Sequence, residues 1–358
     1  MDEVVSRAIT RFTFLATIVV VMCHVDDAMP VMCRTWLVRY LGGSFSDVNV
    51  HNFFFISGYL LARVGEDGWW KSTIKKRVHS LLVPYLIWCA IYGLVFHGSS
   101  IIQLLVTHEV APTQTLVSLA GAIQRIFGLG FLTHPADFPL WYIKTLFYFI
   151  LVFPLTLPFL TRKAAAFFML IFVLLLARWT LCKYLPNVRP YLGMCFNLLG
   201  FVFFLCGAFC SIRKVSFPRC LCRCSPFVPL AIWFAVQTWS FIPYVNRLGV
   251  IMGPVGLAVS VFCLLWIAFS SKWNVSENIS RSCFFIYAAH MMALHYCTKL
   301  NPHALSFMCP SMWYVLLVIS IIVICIVVAN IIYMITPRML AVLTGGRISR
   351  GQHKGDKS

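Results

Sequence analysis

The sequence predicts an all-α integral membrane protein with about ten transmembrane helices and both termini cytoplasmic. Three observations carry that expectation. Of 358 residues, 60% are hydrophobic and only 11% charged, against about 25% charged in a soluble domain. That leaves too little polar surface to coat a globule of this size, and it excludes a soluble enzyme and a disordered chain. The apolar residues gather into ten runs, most near the roughly 20 residues that cross a bilayer. Basic residues outnumber acidic ones 29 to 11, and they concentrate in alternate short loops between those runs.

In chain order the runs are 9–24, 49–64, 79–97, 140–161, 164–181, 192–211, 226–243, 248–270, 281–297 and 312–335. In the first, Arg7 and Arg11 precede the stretch Phe12–Cys23 and could mimic a signal peptide, but no small-residue cleavage pattern comes after it, so it reads as a span. With the N-terminus inside, 20 of the 29 basic residues fall in inner segments and eight in outer loops, with Lys144 inside a span. The bias recurs loop by loop and sets the orientation. The long outer connection holds a weakly apolar stretch, Leu116 to Phe131, that reads as an interfacial or half-inserted helix. Residues 1–335 are expected to form the membrane domain, and 336–358 a basic, polar cytoplasmic tail that is disordered. The basic residues form no face interleaved with aromatics, so the expected partner is the lipid bilayer and not nucleic acid.

Fifteen cysteines are scattered along the chain, most of them within the runs, where cysteine acts as a small apolar residue. The one cluster, Cys220-Leu221-Cys222-Arg223-Cys224, has alternate spacing unlike a zinc site and no nearby histidine. No metal is expected.

Ionisable groups inside apolar runs are expensive in lipid, which makes each a candidate site. His24 closes the run Phe14–Cys23 and is the sharpest of them. It is either an interfacial histidine bonded to a carbonyl or a general base, since imidazole titrates near neutral pH. Asp27 comes three residues later, on the same helical face, and could orient that ring. His290 follows Tyr287 at the same spacing; the pair could bind a polar ligand or tie helices together. Ser57-Gly58 interrupts an aromatic run and suits close helix packing. Trp141 and Lys144 open a span, where a lysine can snorkel beside aromatic anchors. Lys75, Lys76 and Arg77 serve as an inner-side anchor or as a phosphate cradle. Carboxylates are nearly absent from the runs, which argues against a proton-driven transporter.

Several segments, in this order, resemble the acyltransferase type 3 family of bacterial membrane proteins. They are the run ending in His24, then Phe53-Phe54-Phe55-Ile56-Ser57-Gly58-Tyr59-Leu60, Lys76-Arg77 followed by Leu82-Val83-Pro84-Tyr85-Leu86-Ile87-Trp88, then Pro139-Leu140-Trp141-Tyr142-Ile143-Lys144 and Phe284-Phe285-Ile286-Tyr287-Ala288-Ala289-His290. Together they cover roughly residues 1–335. The resemblance implies ten transmembrane helices in a bacterial inner membrane. It implies transfer of an acyl group, usually acetyl from acetyl-CoA, to a hydroxyl of an envelope or exported glycan. It casts His24 as the essential histidine and Arg77 as the basic inner-loop position. Lys144 stands where relatives tend to carry arginine. Two positions depart from the pattern. An arginine eleven residues before the histidine would lie within about 20° of its face, and that position is Thr13. Arg11 lies about 140° away on an ideal helix, which only a local bulge would correct. A second arginine expected three residues after Arg77 is Ser80.

The expected chemistry has Lys75, Lys76 and Arg77 hold the phosphates of acetyl-CoA while His24, oriented by Asp27, takes the proton of the attacking hydroxyl. An acyl-histidine relay is the variant. Trp141, Lys144, Tyr287 and His290 are the expected substrate contacts. The rival class is an exporter of an acylated molecule or glycan, and a third reading is a catalytically dead partner protein.

Overall fold

A chain in lipid has no water to satisfy its backbone, so apolar runs of this length fold as helices. The structure, a computed structural model, describes residues 3–30, 33–62, 69–106, 112–129, 133–185, 197–215, 225–241, 249–300 and 308–346. Among them it is all-helical, with no strand. The helices are α1 Glu3–Ala28, α2 Trp36–Leu61, α3 Trp69–Arg77, α4 Val83–Val106, α5 Pro112–Phe127, α6 Trp141–Thr161 and α7 Ala164–Tyr184. Then come α8 Leu198–Ile212, α9 Phe227–Phe241, α10 Gly249–Ser270, α11 Glu277–Leu300, α12 Pro310–Ile335 and α13 Pro337–Leu343. The described parts of the ten apolar runs fall on helices: α1, α2, α4 and α6 to α12. Among the described residues, five stretches are long and apolar enough to cross a membrane by length and composition: Glu3–Ala28, Trp69–Phe96, Phe138–Thr161, Ala164–Tyr184 and Pro310–Ile335.

Three local features differ from the sequence expectation. First, α1 continues to Ala28, so Asp26 and Asp27 lie within the helix and not beyond it. Second, α3 runs into α4 through one π-helical turn, Val78–Leu82, directly after Arg77. Such a turn adds a residue to the helix and rotates the turns beyond it. Third, the segment after 335 is folded at its start. Helix α13 ends in a Schellman motif, with Gly346 N–H donating to Ala341 O at 2.7 Å and Gly345 N–H to Val342 O at 3.3 Å. Gly345 has φ +65°, and a Cβ there would stand 2.2 Å from Ser80 O in the π turn, so the position needs glycine. The Trp88 indole donates to Leu343 O at 3.0 Å and fastens α13 to α4. The weakly apolar stretch expected at 116–131 is α5. The cysteine cluster at 220–224 and the chain beyond 346 lie outside the described residues.

The chain divides into two units: Met1–Arg63, Phe203–Ile335 and Ser349–Ser358 in the first, Val64–Val202 and Thr336–Ile348 in the second. In the first, α1 packs against α2, α10, α11 and α12. It is the central helix, which explains why it can carry buried Arg11, Thr17 and Asp26: they face protein, not lipid. In the second, α4 packs on α5 and α13, and α6 on α3 and α7.

Candidate active site

The first unit brings together the two histidines that the sequence singled out separately. Where α1 crosses α11, the rings of His24 and His290 stand 5.1 Å apart between centroids, tilted by 34°. On the other side of His24, Asp27 Oδ2 lies 3.7 Å from Nδ1. That is ion-pair distance and longer than a hydrogen bond. The i,i+3 spacing on one helix delivers this contact, as the sequence predicts. His24 is 14% exposed and Asp27 67% exposed, so the constellation opens at the aspartate. At the other end His290 is 1% exposed, in a stretch of α11 where Phe285, Ile286, Tyr287, Ala288 and Ala289 are all buried. Its Nδ1 lies 2.8 Å from Tyr287 O and 3.2 Å from Ile286 O, and the Tyr287 ring is 6.4 Å away.

Sequence reading missed the groups that hold this end of α1. Arg34 donates to the carbonyls of Asp27 at 2.8 Å and Met29 at 3.1 Å, a cation on the negative end of the helix. Its Nε also stands 4.0 Å from the buried carboxylate of Asp26. Tyr314, from α12, donates to Met22 O at 2.9 Å. The close packing of α12 on α1, invisible in either run alone, places it there.

Cys23, His24 and Asp27 each offer a metal-ligating atom, all within 4.8 Å of one another. Around a tetrahedral zinc such atoms stand roughly 3.5 Å apart, and the trio would use the same His24 ring that base catalysis requires. The arrangement as it stands fits an imidazole beside a carboxylate better than a closed metal site.

Arg11 does another job. It is buried, and it donates to Trp273 O at 2.5 Å and to Ala268 O at 3.0 Å. It therefore caps Ala268 in the last turn of α10 and ties down the connection that follows that helix. No bulge interrupts α1, and Thr13 spends its hydroxyl on Ile9 O. Arg11 does not stand in for an arginine eleven residues before His24.

The second unit holds the remaining candidates. Lys75 and Lys76 are exposed at the end of α3, with Arg77 half-buried beside them. Lys144 donates to Gly128 O and Thr133 O, both at 2.7 Å, and ties the connection after α5 to α6. Trp141 is half-buried in the first turn of α6. Next to these lies a cavity of about 220 Å³ whose walls include Leu82, Tyr85, Phe127, Lys144 and Tyr148. Asp137 precedes α6, is fully buried, and neither carboxyl oxygen has a hydrogen-bond partner among the described residues. Burial pushes its carboxyl well above the usual carboxylate range. It lies between two apolar runs, where no sequence pattern singles it out.

A family model described as an acyltransferase domain matches residues 13–330. The chain belongs to the acyltransferase type 3 family. Succinoglycan biosynthesis protein ExoH of Rhizobium meliloti (strain 1021) is 31% identical over 134 residues, which are 36% of this chain and 34% of that relative. The match spans only about a third of the relative's length. No solved structure matches the chain. Family membership and the apolar helices together fit a multi-pass helical membrane protein and favour the enzyme class over the exporter.

Proposed function

We propose that this acyltransferase moves an acyl group, acetyl in the first instance, from cytosolic acetyl-CoA to a hydroxyl of a cell-envelope or exported glycan, with His24 as general base. The observation that carries the reading is the His24 ring flanked by the Asp27 carboxylate at 3.7 Å and by His290 at 5.1 Å. His24 takes the hydroxyl proton as that oxygen attacks the thioester carbonyl. The carbon–oxygen bond forms, the carbon–sulfur bond breaks, and the departing thiolate receives the proton that His24 holds. Asp27 favours the charged imidazole in between. Lys75, Lys76 and Arg77 offer three cations for the phosphates of the donor. Tyr287 and His290 face the acceptor in the first unit, and Trp141 and Lys144 are the substrate contacts of the second. The ten apolar runs and the loop charges support ten spans with cytoplasmic termini, and the family supports a bacterial inner membrane. A relative named for succinoglycan biosynthesis supports a glycan acceptor.

The test is transfer of label from [14C]acetyl-CoA to glycan in membranes carrying equal amounts of wild type, His24→Ala and His24→Gln. Both variants should lose about 10²- to 10⁴-fold in rate, the usual share of a general base. Full activity in either one overturns the assignment. Arg77→Ala should raise the apparent KM for acetyl-CoA, and an unchanged KM removes its phosphate role.

A further inference from the structure

His290 is held in one tautomer. Its Nδ1 faces two backbone carbonyls, at 2.8 Å and 3.2 Å, and carbonyl oxygens only accept. The Nδ1 therefore carries the proton, and in the neutral ring the lone pair is on Nε2. That Nε2 is buried and has no hydrogen-bond partner among the described residues. An acceptor left unmade away from water is costly, and in native proteins it usually marks a place that something else fills.

The filling group has to bring a hydrogen-bond donor. At the reacting centre the acetyl group has none and the thioester has none. The acceptor alcohol is the one reactant with an O–H there. Its single proton cannot serve both imidazoles, and in the proposed reaction it goes to His24. A second donor is needed, and a sugar supplies it in the hydroxyl next to the reacting one. Two rings 5.1 Å apart suit two neighbouring hydroxyls, each giving one hydrogen bond of about 2.8 Å.

Resting on the reading of His24 as base, we propose that His290 Nε2 is the acceptor-binding atom of the site: it receives a hydrogen bond from the sugar hydroxyl adjacent to the one His24 deprotonates. The substrate class this selects is a vicinal diol of a glycan. The carbonyls of Ile286 and Tyr287 act through His290, by fixing which nitrogen faces the substrate.

Two near-isosteres separate this role from a structural one. The glutamine amide reaches the place of Nε2 and can accept there, whereas the asparagine amide reaches only the place of Nδ1 and can still donate to the carbonyls. The experiment compares His290→Gln, His290→Asn and His290→Ala in the full-length protein, at equal membrane content and with matching gel-filtration profiles in detergent. The readout is initial transfer of label from [14C]acetyl-CoA to membrane glycan. His290→Gln should stay within a few-fold of wild type, while His290→Asn and His290→Ala should fall about 10- to 100-fold. The opposite order, with asparagine active and glutamine not, shows a helix tie through Nδ1 and overturns the proposal. So does wild-type activity in all three. Loss of 10³-fold or more in all three makes His290 itself the base and overturns it as well. His24→Gln in parallel keeps the readings apart: if it is fully active, the His24 base falls, whereas failure confined to the His290 series leaves that base standing.

Discussion

Replacing Gly58 with alanine should force α2 and α8 apart. A Cβ at Gly58 on α2 would stand 1.9 Å from Phe204 O on α8, and one at Gly207 on α8 would stand 1.9 Å from Phe55 O on α2. The contact is reciprocal: each glycine faces the carbonyl three residues before the other. Carbon meets carbonyl oxygen at about 3.3 Å in the closest ordinary contacts, so a methyl group overlaps by about 1.4 Å. No side-chain rotation relieves it, because the obstacle is backbone. The helices have to separate at a crossing where Phe54, Phe204, Leu205 and Ala208 are fully buried. Lipid provides no hydrophobic drive to close such a gap, and small residues exist at these crossings to allow backbone approach. Overpacking costs about 1–3 kcal/mol, and Gly58→Ala belongs at or above the upper end. The assay is unfolding of the micellar protein by added dodecyl sulfate, followed by circular dichroism and tryptophan emission. Gly121→Ala on α5 is the control. Nothing lies within 4 Å of a Cβ there, so helix propensity alone should make it neutral or stabilising by up to about 1 kcal/mol. Gly58→Ala with Gly207→Ala should cost less than the two singly, since helices already separated admit the second methyl. Stability of Gly58→Ala within about 0.5 kcal/mol of wild type, or full additivity of the pair, would refute the crossing.

Two more outcomes are expected from buried charge. Arg11→Met keeps most of the side-chain volume but strips one donor from the last turn of α10 and one from the connection after it. It should lower stability by about 2–3 kcal/mol, within the range for hydrogen bonds to charged groups; in the same unfolding assay, a loss under about 0.5 kcal/mol would show the cap to be idle. Asp137→Asn should stabilise. A carboxyl whose folded value is raised keeps its proton where the unfolded chain has lost it, so wild-type stability falls as pH climbs from about 4 toward the folded value. Asparagine has no such loss. The variant's advantage should be small near pH 4, grow with pH, and reach about 1–3 kcal/mol; a variant less stable than wild type at pH 8 contradicts a neutral, unpartnered Asp137.

The helices were legible because lipid leaves the backbone no other choice. Hydropathy alone located ten runs, and ten helices stand there. Their ends were less legible. Nothing in Asp26-Asp27 says that α1 continues through two acids, until Arg34 is found on the carbonyls beyond them. The π turn after Arg77 and the helix at Pro337 are too short to show as periodicity. In the site, the His24–Asp27 contact was readable from spacing along one helix. The His24–His290 pair was not, because it depends on the register between α1 and α11, which one sequence does not contain.

The buried cations and the buried imidazole meet the backbone in different ways. Three basic side chains give donors to main-chain oxygens: Arg11 to Ala268 and Trp273, Arg34 to Asp27 and Met29, Lys144 to Gly128 and Thr133. In a medium without water, the carbonyls left over at helix ends and connections need donors, and a long cation meets that need at several points at once. A basic residue at a helix end is thus strongly drawn to backbone duty. An imidazole differs because one nitrogen can satisfy the backbone while the other, as a lone pair, cannot. His290 uses Nδ1 for its own helix and is left with Nε2. Buried donors are scarce where carbonyls are already in surplus, so this acceptor points toward a ligand that brings its own hydroxyls.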